Sequence, residues 1–249
     1  REFALTKFSF AGTQNAKKVL RANLDQPFLL SLPEGADPKI GDATFTAKAT
    51  GLDLGPWSGM TGGQLTGGIV DLDASIASKD AGNNVSLVLV EKIRGLGVAA
   101  GTNVFSGIDS DTEIRLAVAN LKELALEIMK VNVTHQGREL LALSAAGKAD
   151  LKELTADMGT MLNLDLAKAL QMNPVPGVNI PAGQLSFAGR LASSKSDAGA
   201  RQGIDGSLTV SGLSGNAAGY AIDRFGTEIT LAASVTDLIP DLLPVRKAD

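Results

Sequence analysis

The 249-residue chain contains no cysteine. That excludes disulfides, thiolate nucleophiles and cysteine-ligated metals. It contains a single histidine, His135. A histidine-based triad or a zinc site needs partners that the surrounding residues do not supply, and His135-Gln136-Gly137 reads as a solvated turn. Aromatic residues make up only 4% of the chain, with one Trp and one Tyr, so a core has to be filled by Leu, Val, Ile and Ala. No apolar run approaches the eighteen residues of a membrane-spanning helix. No linear Lys/Arg block occurs, and the net charge is −4 with a pI near 5.1. Neither a nucleic-acid footprint nor a polybasic membrane-surface patch is therefore expected. The opening Arg1-Glu2-Phe3 lacks a Met and a signal-peptide pattern. With the charged ending Arg246-Lys247-Ala248-Asp249, it reads as the edge of a piece of a longer protein.

What is abundant is short-period alternation and glycine. Glycine accounts for 28 residues, which suits many turns and bulges between strands. Alternating apolar and polar residues fill Asp42–Thr50, Ile69–Ile76, Glu113–Val118, Gly183–Leu191, Ser207–Ser211 and Glu228–Val235. A strand sends successive side chains to opposite faces, so each run has one apolar and one wet face. Val85–Val90 is apolar on both faces and reads as a more enclosed strand. Ala125–Leu143 reads as a hairpin turning near Gln136-Gly137, with strand preferred over helix for Leu121–Lys130 because Val131-Asn132-Val133-Thr134 alternates.

One segment departs from period two. In Asp150–Gln171, Leu151, Leu154, Met158, Met161, Leu162, Leu166 and Leu170 recur at spacings of three and four, which predicts an amphipathic helix. Asp150 and Glu153 fit a capping box, and Asn173-Pro174-Val175-Pro176-Gly177 ends the helix. A second, weaker helical pattern covers Gly12–Leu24. Asn84–Val118 and Ile204–Val235 share a strand, Gly-rich link, irregular loop, strand order, with Gly95-Leu96-Gly97-Val98-Ala99-Ala100-Gly101 loosely matching Gly212-Leu213-Ser214-Gly215-Asn216-Ala217-Ala218-Gly219.

Candidate chemistry is sparse. Asp71-Leu72-Asp73 and Asp109-Ser110-Asp111 pair carboxylates at spacing two, which suits Ca²⁺ or glycosidase chemistry, but the second lacks the Gly and distal Glu of an EF-hand loop and both read better as surface charge. The Gly59-Met60-Thr61-Gly62-Gly63 cluster with Gly67-Gly68 has no Lys and precedes a strand, so it reads as a turn or bulge rather than a phosphate loop. Trp57 reads as a cap on one end of a sheet. No serine-nucleophile, HExxH or kinase motif is present, and the chain is read as non-catalytic, with no cofactor or metal.

Gly147-Lys148-Ala149-Asp150-Leu151, the Leu/Met-rich segment after it and Pro181-Ala182-Gly183-Gln184-Leu185-Ser186-Phe187-Ala188-Gly189-Arg190-Leu191 resemble the AsmA-like family of Gram-negative envelope proteins. The specific part covers roughly a fifth of the chain. The resemblance implies a long curled antiparallel sheet with an apolar inner face, a periplasmic location, an inner-membrane anchor outside this chain, and a role in moving phospholipid towards the outer membrane.

These readings converge on a mainly β chain: one domain over residues 1–249, a curled antiparallel sheet with one or two short helices around residues 150–171. The expected function is non-catalytic handling of phospholipid or another acyl-chain lipid, together with other envelope proteins. The candidate groove residues are Phe45, Leu87, Leu89, Ile114, Leu116, Leu185, Phe187, Leu208, Val210, Ile229 and Leu231. The competing expectation is a structural or adhesive β-sandwich whose apolar faces pack on each other. A carbohydrate-binding reading built on Trp57 and the Asp71/Asp73 pair ranks behind both.

Overall fold

In the computed structural model, residues 2–32, 39–100, 103–196 and 199–236 are described. The elements in chain order are β1 (Glu2–Leu5), β2 (Ser9–Gln14), β3 (Lys17–Leu24), β4 (Phe28–Ser31), β5 (Lys39–Ile40), β6 (Ala43–Asp53), a 3-10 helix (Gly55–Thr61), β7 (Leu65–Lys79), β8 (Asn84–Ala100), β9 (Asn103–Ala119), β10 (Glu123–His135), β11 (Arg138–Asp150), β12 (Thr155–Asp165), α1 (Leu166–Met172), β13 (Val178–Ser196), β14 (Gly199–Ala217) and β15 (Tyr220–Thr236). The period-two runs thus become strands, and they extend well beyond their most regular stretches.

Twelve strands form one antiparallel sheet in the order β15-β14-β13-β12-β11-β10-β9-β8-β7-β6-β3-β2, and β1, β4 and β5 form a second, three-stranded sheet. The large sheet is not closed into a barrel. At about 4.8 Å per strand it extends about 50 Å across its strands. One-residue bulges recur in it, between Ala49 and Leu52, Ile93 and Leu96, and Val210 and Leu213. Each contains a glycine with positive φ: Gly51 at 59°, Gly95 at 62° and Gly212 at 60°. A bulge of this kind bends its strand and raises the local twist, so the sheet curls. The resemblance between Gly95-Leu96-Gly97 and Gly212-Leu213-Ser214 is this shared bulge, lying within long strands rather than in loops.

The hairpin over Ala125–Leu143 turns at Gln136-Gly137, with Val131 opposite Leu143 and Val133 opposite Leu141. The predicted helix over Asp150–Gln171 is corrected. Only Leu166–Met172 is helical, and residues 155–165 are a strand between β11 and β13. The capping chemistry at Asp150 is real: its Oδ1 accepts from Lys152 N and Glu153 N, both at 2.8 Å. It closes a tight turn instead of a helix, and Leu154, with φ +54°, reverses the chain. Met158 and Leu162, four residues apart, sit on one face of a strand as readily as on one face of a helix. Pairing on both sides decides between them, because it satisfies every backbone group of the segment. The helix starts where Asp165 accepts from Lys168 N at 3.0 Å. Gly12–Leu24 is not helical either: it falls in the β2–β3 hairpin, whose turn residues Asn15 and Ala16 both have positive φ. Val85–Val90 is also less enclosed than its sequence suggests, since Val88 is exposed.

Glycine also permits close approach. A Cβ on Gly147 would lie 2.6 Å from Met158 Cα and against Asp157 O, both backbone atoms of β12. The Gly95 position is open, so only its φ resists substitution. Gly95→Ala is expected to cost about 1 kcal/mol, the penalty of left-handed backbone. Gly147→Val is expected to cost about 3 kcal/mol because backbone must move. Urea unfolding of the two variants measures this, and equal losses would show that close packing of β11 on β12 is not the constraint.

Candidate functional site

Paired residues in an antiparallel sheet share a face. The pairing therefore assigns every candidate groove residue to a side. One row across the sheet runs Leu24, Phe45, Ile76, Leu87, Leu116, Leu126, Gly147, Met158, Leu191, Ile204. Two residues along the strands, the next row includes Ala47, Ala74, Leu89, Ile114, Met129, Ala145 and Leu231. Further rows hold Leu143, Leu162, Phe187, Leu208 and Ile229, then Leu141, Leu164, Leu185 and Val210. All eleven candidates, Phe45, Leu87, Leu89, Ile114, Leu116, Leu185, Phe187, Leu208, Val210, Ile229 and Leu231, thus lie on the same face.

The two faces differ in chemistry and exposure. Ten of the eleven candidates are half-buried, and Ile229 is 46% exposed. On the opposite face, Asp71, Asp73, Asp111, Arg115, Lys130, Asn132, Lys148 and Asp157 are exposed. Among the described residues only six apolar side chains are buried, namely Val19, Ala43, Ala49, Leu126, Ala167 and Ile180, and no large side chain is fully buried. A β-sandwich interior of two facing sheets would bury whole rows. Among the described residues the large sheet has no second sheet of its size, so its apolar face is lined by side chains that pack mainly on one another.

The apolar face has features along its length. At one end, Phe8 packs against Phe45 with ring centroids 5.7 Å apart. Further along, α1 packs against β13 with Ala167 and Ile180 buried, and Lys168 Nζ donates to His135 O at 3.1 Å. His135 therefore ends β10 beside α1 and is half-buried. Phe187 does more than line the face: its ring lies over Gly189 and Gly206, covering two positions that have no side chain. Glu91 and Thr112, paired on the same face, form a polar break in its middle.

The carboxylate pairs are built into bulges. Asp71 Oδ1 accepts from Gly51 N at 2.8 Å, and Asp109 Oδ1 accepts from Gly95 N at 2.7 Å. The second member of each pair takes a cation: Asp73 pairs with Lys48 at 3.1 Å and Asp111 with Arg94 at 3.1 Å. Each first aspartate thus satisfies the N–H that its bulge frees from the ladder. No cluster of three or more potential metal ligands exists among the described residues. Sequence reasoning missed this role; the available signal was an Asp two residues from a second acid, opposite a strand with an internal glycine. The Gly59–Gly68 cluster forms the end of the 3-10 helix and the bulged start of β7. Trp57, in that helix, is 39% exposed. No helix among the described residues is long and apolar enough to cross a membrane.

No family model, curated protein or solved structure matches the chain.

Two expectations test these contacts. Asp109→Ala is expected to lower stability by about 1 kcal/mol, with Asp109→Asn recovering most of it, and added Ca²⁺ is expected to leave the melting temperature of the wild-type chain unchanged; a calcium-dependent rise would restore the metal reading. On the polar face, the Arg190 guanidinium holds the Asp157 carboxyl below its ordinary value of 3.8. A lowered carboxylate contributes stability above the unfolded value and loses it as pH falls through the folded one. Melting temperature should therefore fall more steeply below pH 3.8 in the wild-type chain than in Asp157→Asn, and parallel curves would remove the pair from the stability balance.

Proposed function

We propose that the chain is a non-catalytic lipid-handling module of the Gram-negative cell envelope, working in the periplasm, whose apolar sheet face takes up acyl chains. One observation carries this reading: an apolar face that runs across the large sheet, broken at Glu91 and Thr112, with all the candidate residues on it and, among the described residues, no second sheet of comparable size. A single leaflet's acyl chain is about 15 Å long. The face runs about 50 Å across its strands, so it accommodates tails laid along the rows rather than one tail in a closed pocket. Each methylene withdrawn from water contributes about 0.8 kcal/mol. Small aliphatic side chains leave a shallow floor for a tail, and polar groups on the other face keep the sheet wetted there. The resemblance to AsmA-like proteins points the same way, towards phospholipid transport or outer-membrane biogenesis alongside an inner-membrane anchor and other envelope proteins.

The alternative is a structural or adhesive domain, in which the same face packs on protein and takes no lipid.

Native mass spectrometry of the purified chain with organic extraction separates the two. Co-purified phospholipid is expected, reduced at least tenfold in Leu208→Asp and Leu231→Asp, because a carboxylate on the apolar face strips the tail's dry contact. Thr230→Asp, one residue from Leu231 on the opposite face, is expected to keep the lipid. A lipid-free mass that also refuses added phospholipid, in a chain with native β circular dichroism, would leave the structural role.

A further inference from the structure

Cationic residues that are dispersed in the sequence meet at one edge of the large sheet. Residues 1–24 hold five Lys/Arg against one Glu, a net +4, in a chain whose total is −4; the remainder is therefore net −8. The expectation that no basic surface exists holds for linear blocks only. β2 and β3 are the outermost hairpin. Lys17 and Lys18 follow its turn, Arg21 lies further along β3, and Lys7 precedes β2; all four are exposed. None of them belongs to an ion pair among the described residues. Phe10, Lys18 and Arg21 line one open concavity of about 500 Å³, together with Lys48, which is paired with Asp73.

Phe10 beside these cations belongs to the aromatic stretch of a chain poor in aromatics. Five of the eight phenylalanines lie within the first 45 residues. Phe3 is 55% exposed and Phe10 52%, and Leu5 and Leu29 on the paired strands β1 and β4 are also exposed. Apolar side chains left in water beside unpaired cations are the combination that a headgroup–acyl boundary accommodates, the rings entering it and the cations meeting phosphate. A long polyanion such as single-stranded nucleic acid also uses cations and rings. It would, however, continue past this corner onto a body of net −8, whereas a bilayer surface meets the edge alone.

We propose that the β2–β3 edge, with the adjoining β1–β4 strands, is a docking surface for an anionic lipid bilayer. The proposal stands apart from tail binding on the sheet face and needs only the edge. Docking there would set Phe45 and the first apolar row next to the membrane.

The test is flotation of the whole chain with vesicles of phosphatidylcholine alone or mixed with phosphatidylglycerol. Binding is expected to the mixed vesicles only, weakening with salt. The combined variant Lys18→Glu, Arg21→Glu is expected to bind at least tenfold more weakly, since each cation near such a surface contributes about fivefold. Lys7→Glu with Lys17→Glu, which changes positions at the ends of strands, is expected to weaken binding similarly, and it carries the test should the first pair disturb the β circular dichroism. Phe10→Ser is expected to reduce the binding that survives at high salt. Equal binding to both vesicle types, undiminished binding by the charge variants, or tighter binding to single-stranded DNA than to vesicles would each overturn the proposal. Native mass spectrometry of the same variants keeps the two readings distinct: the edge variants should retain co-purified lipid, and Leu208→Asp should still float with anionic vesicles.

Discussion

The backbone hydrogen-bond ladder carries the molecule, because side-chain burial alone is slight. Among the described residues six apolar side chains are buried and none of the large ones fully. Twelve strands nevertheless pair without a break from β15 to β2. Each ladder bond contributes modestly on its own, but leaving one unmade in a half-dry setting costs more. The places where the ladder is interrupted are accordingly mended, and the mending explains residues that otherwise look like chemistry. Asp71 and Asp109 accept the amides of Gly51 and Gly95 at the bulges.

The register follows from the same ladder. Since alternation has period two, a one-residue slip between neighbours would send an apolar set to the wet face. The rows from Leu24 to Ile204 and from Leu143 to Ile229 stay together across bulges because each bulge places its extra residue out of the pairing. The apolar face is thus a property of the whole sheet, and its extent supports the acyl-chain reading better than any single residue does.

Much of this was legible in the sequence, and the failures have local causes. Alternation located the strands around Phe45, Leu72, Ile114, Phe187, Leu208 and Ile229, and it assigned their inward residues to a common side. The turn at Gln136-Gly137 was legible from its turn residues. The Asp150–Gln171 segment was not, since Met158 and Leu162 satisfy both periods, and the pairing with β11 and β13 that makes it a strand shows only in the folded sheet. Bulges were illegible for another reason: Gly95 and Gly212 look like loop punctuation until pairing shows strand on both sides. The basic edge escaped notice because Lys18, Arg21 and Lys48 come together only through the β2–β3–β6 pairing.

From β6 to β15 every strand of the large sheet lies beside the strand that precedes it in the chain, and the sole departure is the β3–β6 junction, which steps over β4 and β5. Contacts between chain neighbours close short loops and have a small entropic barrier. The sheet can therefore lengthen one strand at a time, each newly emerged segment finding a ready template in the last. Such a molecule needs no late, long-range closing step to reach its final form. Its growing edge is the feature that any chaperone or adjoining polypeptide has to guard until the next strand arrives.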